Sequence, residues 1–547
     1  MPRAAALLAA AALLPAAALA ARARRHVVHI MADDLGYNEM GFNNATRGLQ
    51  TAALDALASA GVVLEKYYTN PLCSPTRSAL MTGRYNHRLG TQANVIYWDT
   101  PWALPLSVPW MPAVLKARAG VGATGMYGKS HLGSFRNDSF PSRRGFDDFA
   151  GYLQGCGSRS THVAACCDAP ADPQNDTDAI CGVQSPKDFR GYDWFEGNVP
   201  NLSANHVPSV ELIASHAEAF IARHAADAAP FYLYLPFQNI HAPYDCNVSS
   251  FARFKGLNVS DNQRTMFGYI YDLDLAVGRV VAALARAGLA PEDSIIVFTS
   301  DNGAPPADGV EDRNFPLRGF KAETYEGGTN VPAFVHAPGL LPAGTRRRGL
   351  VHVTDWLPTI LSMLGATAPA GLDGLDVTPT LLTDAPVRSE LVVNLNPLSG
   401  GQFGNPKAGF VMGDLKLLCW SYEIAGINNG TTTSCTAEPH VGFPALYNLT
   451  SDPGETTNLA SSQPADLARL EARLAELAAA SVEPMQWSAP YQGANYECAD
   501  CPLHPAGTGP DVPWTAWVAD PPAQSEAATE AVGRIAGSSS GGGAPRL

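Results

Sequence analysis

The stretch PLCSPTRSALMTGRY, residues 71–85, sets Cys73 two positions before Pro75 and four before Arg77, just ahead of an apolar run that a helix could use. Such a cysteine could be half of a disulfide, a free thiol or a chemical centre. Elsewhere the chain pairs its acids. Asp33 and Asp34 are adjacent, and Asp301, Asn302 and Gly303 follow one another. Neighbouring carboxylates repel, so a positive group belongs between them or one of them is protonated. Oxygen ligands without thiolate or imidazole suit a hard cation, Ca²⁺ or Mg²⁺, better than zinc. Three further segments carry bases: GKSHLG with Lys129 and His131, NIHAPY with His241, and LRGFKAETYEGG with Lys321. Glycines beside Lys129, His131 and Lys321 permit close approach. Taken singly, each acidic pair reads as a solvated loop and each Lys or His as an ordinary surface residue. Their common placement is what points to chemistry.

That placement follows from the elements around them. HVVHIMADD (26–34) is a short apolar run ending in acids, the pattern of a buried parallel strand. VGATGMYGK, PFYLYLPFQ, DSIIVFTSDNG and VPAFVHAPG read as further strands. Between them lie helices: TAALDALASAG (51–61), with Thr51 as N-cap and Gly61 as stop, SVELIASHAEAFIARHAA, and the long amphipathic RTMFGYIYDLDLAVGRVVAALARAG. Alternation of strand and helix predicts an α/β fold around a large, mostly parallel sheet flanked by helices. Sites in such sheets lie at the carboxyl ends of the strands. Asp33–Asp34, Asn239 with His241, and Asp301–Asn302 all fall there. After about Thr380 the pattern changes to short strands with turns (ELVVNLN, AGFVMGDLKLLCW, ALYNLTSDPGE) and one helix, PADLARLEARLAELAAASV. This predicts a smaller α+β domain with an antiparallel sheet over residues 388–484, after a catalytic domain over 26–387. The Pro-, Gly-, Ala- and Ser-rich remainder, 485–547, reads as an extended or disordered tail.

With 547 residues the chain is long enough for more than one domain, and its net charge of −14 argues against nucleic acid as partner. Residues 1–20 have the features of a cleaved signal peptide: Arg3, an alanine-rich apolar stretch and a small-residue ending at Ala18-Leu19-Ala20. No later stretch is apolar enough to span a bilayer, so the mature protein is expected in the secretory route, extracellular or lysosomal/vacuolar, with no membrane span. Eight Asn-x-Ser/Thr sites agree with a glycoprotein: Asn44, Asn137, Asn175, Asn201, Asn247, Asn258, Asn429 and Asn448. So do ten cysteines, which pair in an oxidising compartment: Cys73, Cys156, Cys166, Cys167, Cys181, Cys246, Cys419, Cys435, Cys498 and Cys501.

CSPTR fits Cys-x-Pro-x-Arg, the signature of the type I sulfatases, and SALMTGRY continues it in the manner of that family. The chain resembles this formylglycine-dependent, alkaline-phosphatase-like group, and most of all its arylsulfatase B-like branch. The resemblance extends from HIMADDLGYNEMGF through YGKSHLG, RGFDDFAGYLQG, FYLYLPFQNIHAPY, SDNGAPP, LRGFKAETYEGGTNVP and HVTDWLPTIL to LYNLTSDPGETTNLA, about residues 26 to 460.

The resemblance implies that Cys73 is oxidised to Cα-formylglycine by the formylglycine-generating enzyme during secretion, with Pro75 and Arg77 completing the determinant that enzyme reads. It implies one Ca²⁺ held by Asp33, Asp34, Asp301, Asn302 and the modified Cys73. Arg77 and Lys129 would polarise the hydrated aldehyde, Lys321 and His241 would contact the sulfate, His241 would protonate the leaving alcohol, and His131 would be the base. A cation with Lys and Arg offsets the repulsion that an anionic ester offers a nucleophile. Two positions depart from the family's habit: Ser130 where tryptophan is frequent, implying a wider or wetter pocket floor, and Phe320 where a basic or polar residue is common. The expected substrate is a sulfate monoester of a saccharide. A phosphomonoester or phosphonate hydrolase with the same aldehyde is the second reading. A dead glycan-binding relative is the third, and it conflicts with the retention of every matched position. If Cys73 is modified, nine cysteines remain, so one more is expected unpaired or intermolecular, among Cys156, Cys166, Cys167 and Cys181.

Overall fold

Strand β1, His26–Ala32, is apolar at all but its two histidines because both of its faces are covered. Val27 and Met31 point into one core, Val28, Ile30 and Ala32 into the other, the period-two alternation of a strand. The computed structural model describes residues 25–485 apart from 45–48, 50, 97–99, 101, 166–189, 245–247, 308–309, 311, 399–405, 428–429 and 437–441. The signal-peptide segment, the tail, and Cys166, Cys167, Cys181, Cys246, Cys498 and Cys501 therefore lie outside the described residues.

In chain order the main sheet continues with β2 (Val62–Leu64), β3 (Ala123–Tyr127), β4 (Asp148–Gly151), β5 (Phe195–Glu196), β6 (Val199–Pro200), β7 (Phe231–Pro236), β8 (Ser294–Ser300), β9 (Ala333–His336) and β10 (Thr345–Arg347). Across the sheet the order is β10-β2-β9-β8-β1-β7-β3-β4-β5-β6. The five central strands, β8 to β4, are parallel, and antiparallel pairs join on both sides. Helices cover both faces: Cys73–Thr82, Met111–Ala119 and Trp356–Met363 on one, Ala52–Ser59, Ser209–His224 and Asp261–Arg286 on the other. This is the predicted α/β layering.

The helix Ala52–Ser59 starts where expected but is capped differently. Thr51 makes no cap; its hydroxyl donates to the Asp55 carboxylate at 2.8 Å. The cap comes from Asp274 on the long helix, which accepts from the Leu54 N–H at 2.8 Å and the Ala53 N–H at 3.2 Å. A carboxylate at a helix N-terminus serves as well from a neighbouring element as from the chain's own. Gly61 does not stop this helix with a left-handed turn either. It is required because a Cβ there would stand 2.5 Å from the Val335 carbonyl oxygen.

The second sheet is antiparallel, β11 (Glu390–Leu395), β12 (Ala408–Met412), β13 (Leu415–Cys419) and, last in the order, Ala445–Asn448. The helix Pro464–Ala478 packs Leu470 and Leu474 into the same apolar cluster as Phe410 and Leu417. We propose the division 26–387 and 388–484 on this change of sheet type. A buried triad joins the sheets: Lys416 Nζ lies 2.7 Å from Glu326 Oε1 and 3.1 Å from Glu455 Oε1. Cys419 is disulfide-bonded to Cys435. Of the glycosylation candidates, Asn137 and Asn258 are exposed, Asn201 and Asn448 partly so, and Asn44 ends a short helix; Asn175, Asn247 and Asn429 lie outside the described residues. No helix among the described residues is long and apolar enough to cross a membrane.

Candidate active site

Cys73 is the first residue of its helix, and Arg77 follows one turn later, so both project from one face. The helix ends at Gly83, whose φ of 65° closes the last turn. The acids arrive from the ends of β1 and β8. Past β1 the ladder continues: the Asp33 N–H donates to Asn239 O at 2.8 Å, and the Ile240 N–H returns to Asp33 O at 2.6 Å. On the other side, the Asp301 N–H donates to Ala32 O at 3.1 Å. Asp33 and Asp301 are thus fixed by strand register before any side-chain contact forms. Asp34 turns away at φ 62°, a conformation an L-residue adopts only when its surroundings hold it.

Around these carboxylates stand three cations. Lys129 Nζ donates to Asp33 Oδ2 at 2.6 Å, and Lys321 Nζ to Asp34 Oδ2 at 2.9 Å. The positive groups predicted to separate the two acids are present, one for each. Arg77 donates through Nε and Nη2 to Asp301 Oδ2 at 3.2 and 2.8 Å, and through Nη1 to Lys129 O at 3.1 Å. Its Nη2 is also 3.5 Å from Asp33 Oδ2. All six side chains are buried. Three carboxylates facing three bases leave the cluster near neutral.

Burial works most strongly against the charges on Lys129 and Lys321, but their negative neighbours, led by Asp33 for Lys129 and by Asp34 for Lys321, together raise both. Burial also pushes Asp34 up, yet Lys321, His241 and Lys129 together hold it below the usual carboxylate range. Asp301 is raised, by burial and then by Asp33, against the pull of Arg77. Burial, followed by the Asp301 charge, drives the Cys73 thiol well above its ordinary value.

Cys73 Sγ sits 3.6 Å from Asp33 Oδ1. Asp33, Asp34, Cys73 and His241 each bring one ligand atom within 4.8 Å of the others. Asn302 donates through Nδ2 to Asp34 Oδ1 at 2.7 Å, which leaves its buried Oδ1 without a hydrogen-bond partner. An unpartnered amide oxygen among carboxylates is the donor set of a hard cation. Asp301 joins the cluster differently: its Oδ1 accepts from the Asp34 N–H at 3.2 Å, while its Oδ2 takes Arg77.

The two histidines differ. His241 keeps 15% of its side chain exposed, with Nε2 3.7 Å from Asp34 Oδ2 and Nδ1 2.6 Å from Ala242 O. Burial and then Lys321 lower it to about 3. His131 is buried, at φ 55°, and lowered well below its ordinary value by burial and then Lys129. Its backbone is clamped: its N–H donates to Leu153 O at 3.2 Å, and its carbonyl accepts from Ser74 Oγ at 2.9 Å. Gly155 lies against its ring, since a Cβ there would stand 2.4 Å from Cε1. Ser130 is buried and its Oγ has no hydrogen-bond partner. Phe320 is partly exposed next to Lys321.

Every sequence-predicted site residue thus falls at one end of the central strands. The supports were not visible beforehand. Asp193, whose carboxylate accepts from the Leu153 and Gln154 N–H groups at 3.0 and 2.9 Å, holds the loop under His131. Glu39 and Arg313 form a buried pair behind Asp34. Glu39 stands inside a quoted motif, but nothing in its spacing names a partner 274 residues away.

A profile of the Sulfatase family matches residues 25–366. Arylsulfatase J of Mus musculus is 31% identical over 485 residues, covering 84% of this chain and 76% of its own. N-acetylgalactosamine-6-sulfatase of Mus musculus is 29% identical over 458 residues, 79% of this chain and 81% of its own. Among solved structures, Ps i-CgsB in complex with k-i-k-neocarrahexaose superposes with a TM-score of 0.69 at 25% identity, covering 84% of this chain and 94% of its own.

Proposed function

The chain belongs to the sulfatase family and is a sulfuric ester hydrolase, and on that basis we propose that it cleaves sulfate monoesters of saccharides with a formylglycine made from Cys73 and one Ca²⁺. The observation that carries the reading is the state of Cys73. It is buried, points at a carboxylate and has its thiol pushed up, so it is a poor thiolate nucleophile at the centre of every other site residue. An aldehyde at this position would supply a hydrated diol whose hydroxyl can attack sulfur. We assign the cation to Asp33, Asp34, Asp301, Asn302 and residue 73, supported by the unpartnered Asn302 Oδ1. Bound there, Ca²⁺ would supply charge that the near-neutral cluster lacks for receiving an anionic ester.

The chain's own groups would do the rest. Lys321 and His241, the two site residues nearest the opening, would hold the sulfate oxygens. Lys129 and Arg77, fixed by Asp33 and Asp301, would orient and polarise the group at position 73. A preorganised donor of this kind is worth roughly 10²–10³ in rate. With Nδ1 held as the donor to the Ala242 carbonyl, Nε2 is the ring nitrogen left to face the substrate; His241 would first take up a proton there and then pass that same proton to the leaving alcohol. His131, neutral and buried, would accept a proton at a ring nitrogen. The saccharide class is drawn from relatives: N-acetylgalactosamine-6-sulfatase by its name, and Ps i-CgsB by the neocarrahexaose in its complex. Passage through the secretory route and modification there by a formylglycine-generating enzyme complete the proposal.

The test is mass spectrometry of the tryptic peptide 67–77 from secreted, active protein. An aldehyde at position 73 is expected; an intact or disulfide-bonded thiol in active enzyme would sink the reading.

A further inference from the structure

Behind the reacting groups, one buried guanidinium joins the segments that carry them. Arg313 donates through Nη2 to the backbone oxygen of Asp34 at 3.0 Å and through Nη1 to Pro305 O at 3.1 Å. Its Nε and Nη2 also reach Glu39 Oε1 and Oε2, at 2.7 and 3.2 Å. Glu39 is fixed in turn, because its Oε2 accepts from the Gly36 N–H at 2.7 Å. The backbone meets the other way as well: the Asn38 N–H donates to Arg313 O at 3.0 Å. Gly36 has no room for a side chain, since a Cβ would stand 2.3 Å from that same oxygen. The next residue, Asn314, brackets Ala304, accepting from its N–H at 2.9 Å and donating to its carbonyl at 2.9 Å. That carbonyl also accepts from the Lys321 N–H at 3.1 Å.

We propose that Arg313, braced by Glu39, is a positioning residue that holds Asp34 in its left-handed conformation and locks the loop after β1 to the loop after β8. The inference rests on the reading of Asp34 as part of the reacting site. At that positive φ Asp34 carries its carboxylate toward Lys321 and Asn302, while its buried backbone oxygen accepts from the Arg313 guanidinium on the other side. A lysine could keep the charge but not the fork, which here spans Asp34, Pro305 and both oxygens of Glu39. Partners one step behind a ligand set typically change metal affinity or activity by about 10–100-fold when removed.

The test compares full-length, secreted wild type with Arg313→Lys and Glu39→Gln. Turnover and KM are measured on an aryl sulfate. Melting temperature is measured separately, after chelation, as a function of added Ca²⁺ alone. Arg313→Lys is expected to lower kcat roughly 10- to 100-fold with KM within about twofold, and to raise the Ca²⁺ concentration at half-maximal thermal shift by about tenfold or more. Glu39→Gln moves both in the same direction by less, and carries the test if Arg313→Lys does not fold. A lower melting temperature with wild-type kcat and Ca²⁺ midpoint would overturn the proposal, leaving the pair as packing only. If wild type itself shows no Ca²⁺ shift, the metal assignment falls, and the positioning role is decided by kcat per folded molecule.

Discussion

Two buried clusters of charge lie at opposite ends of one loop, residues 319–328, and they are balanced by different means. Toward β1, Lys321 belongs to a set of three acids and three bases that reaches solvent beside His241. Five residues on, Glu326 belongs to a triad with Lys416 and Glu455 in which two acids share one base. The triad is sealed, and its surplus negative charge is met by a proton: burial, and the charge of Glu326, push Glu455 up to about 7. The set around Lys321 meets its negative charge with fixed cations instead. A cluster neutralised by protons is complete as folded. One neutralised by Lys and Arg can accept a metal ion and an anion together without ejecting anything.

The sharpest way to break this contrast is at Cys73. Cys73→Ala should reduce aryl sulfate turnover to background, a loss of at least about 10³-fold, with little change in melting temperature. Retained turnover would remove residue 73 from the centre of the open cluster. Next comes removal of one base from each cluster. Lys416→Met strands two acids and should cost about 3–5 kcal/mol of stability, whatever the Ca²⁺ concentration, while turnover per folded molecule stays unchanged. Lys321→Met should cut turnover roughly 10²–10³-fold, with its loss of stability largely restored by Ca²⁺. Equal effects on turnover would mean that the two clusters do not differ in kind.

The third test uses pH. A carboxyl raised from its ordinary value of 4.5 to about 7 binds a proton more tightly folded than unfolded. Its contribution is therefore fully present below about pH 4.5 and is lost as the pH rises to 7, up to about 3 kcal/mol. Glu455→Gln should flatten that slope in chemical denaturation, and an unchanged slope would assign it to another group. The smallest effect is expected at Gly155. Gly155→Ala would push the His131 ring aside and lower kcat about tenfold with the fold intact. Wild-type kcat would show that His131 tolerates displacement and is not the base.

Much of this was legible because the decisive residues sit where apolar runs stop. HVVHIMADD and DSIIVFTSDNG announce both strand and acid in one stretch, since a strand buried on both faces must be apolar until it reaches the site. The smaller antiparallel sheet was legible for the complementary reason: AGFVMGDLKLLCW alternates about a Gly-Asp turn, and Gly413 indeed has φ 62°. What could not be read were contacts between segments distant in sequence whose residues have ordinary local roles. Thr51 is a natural N-cap by type, but Asp274, about 220 residues away, takes the position. Arg313 looks like one more loop arginine until the fold brings Asp34 and Glu39 to it. Gly155 reads as flexibility and turns out to be room for a ring.

The same long separations set a clock. The helix that begins at Cys73 is buried along its whole length, and it is closed in by Asp33 from before it and by Lys129, Asp301 and Lys321 from after it. Until Asp301 has been synthesised, the central sheet lacks β8 and the pocket around Cys73 cannot seal. At about 5–20 residues per second, the interval from residue 73 to residue 301 is roughly 10–50 s. Any enzyme that alters this cysteine has that interval, plus the folding time, in which to find it. Anything that hastens closure of the sheet would shorten the opportunity and leave more of the chains with their thiol intact.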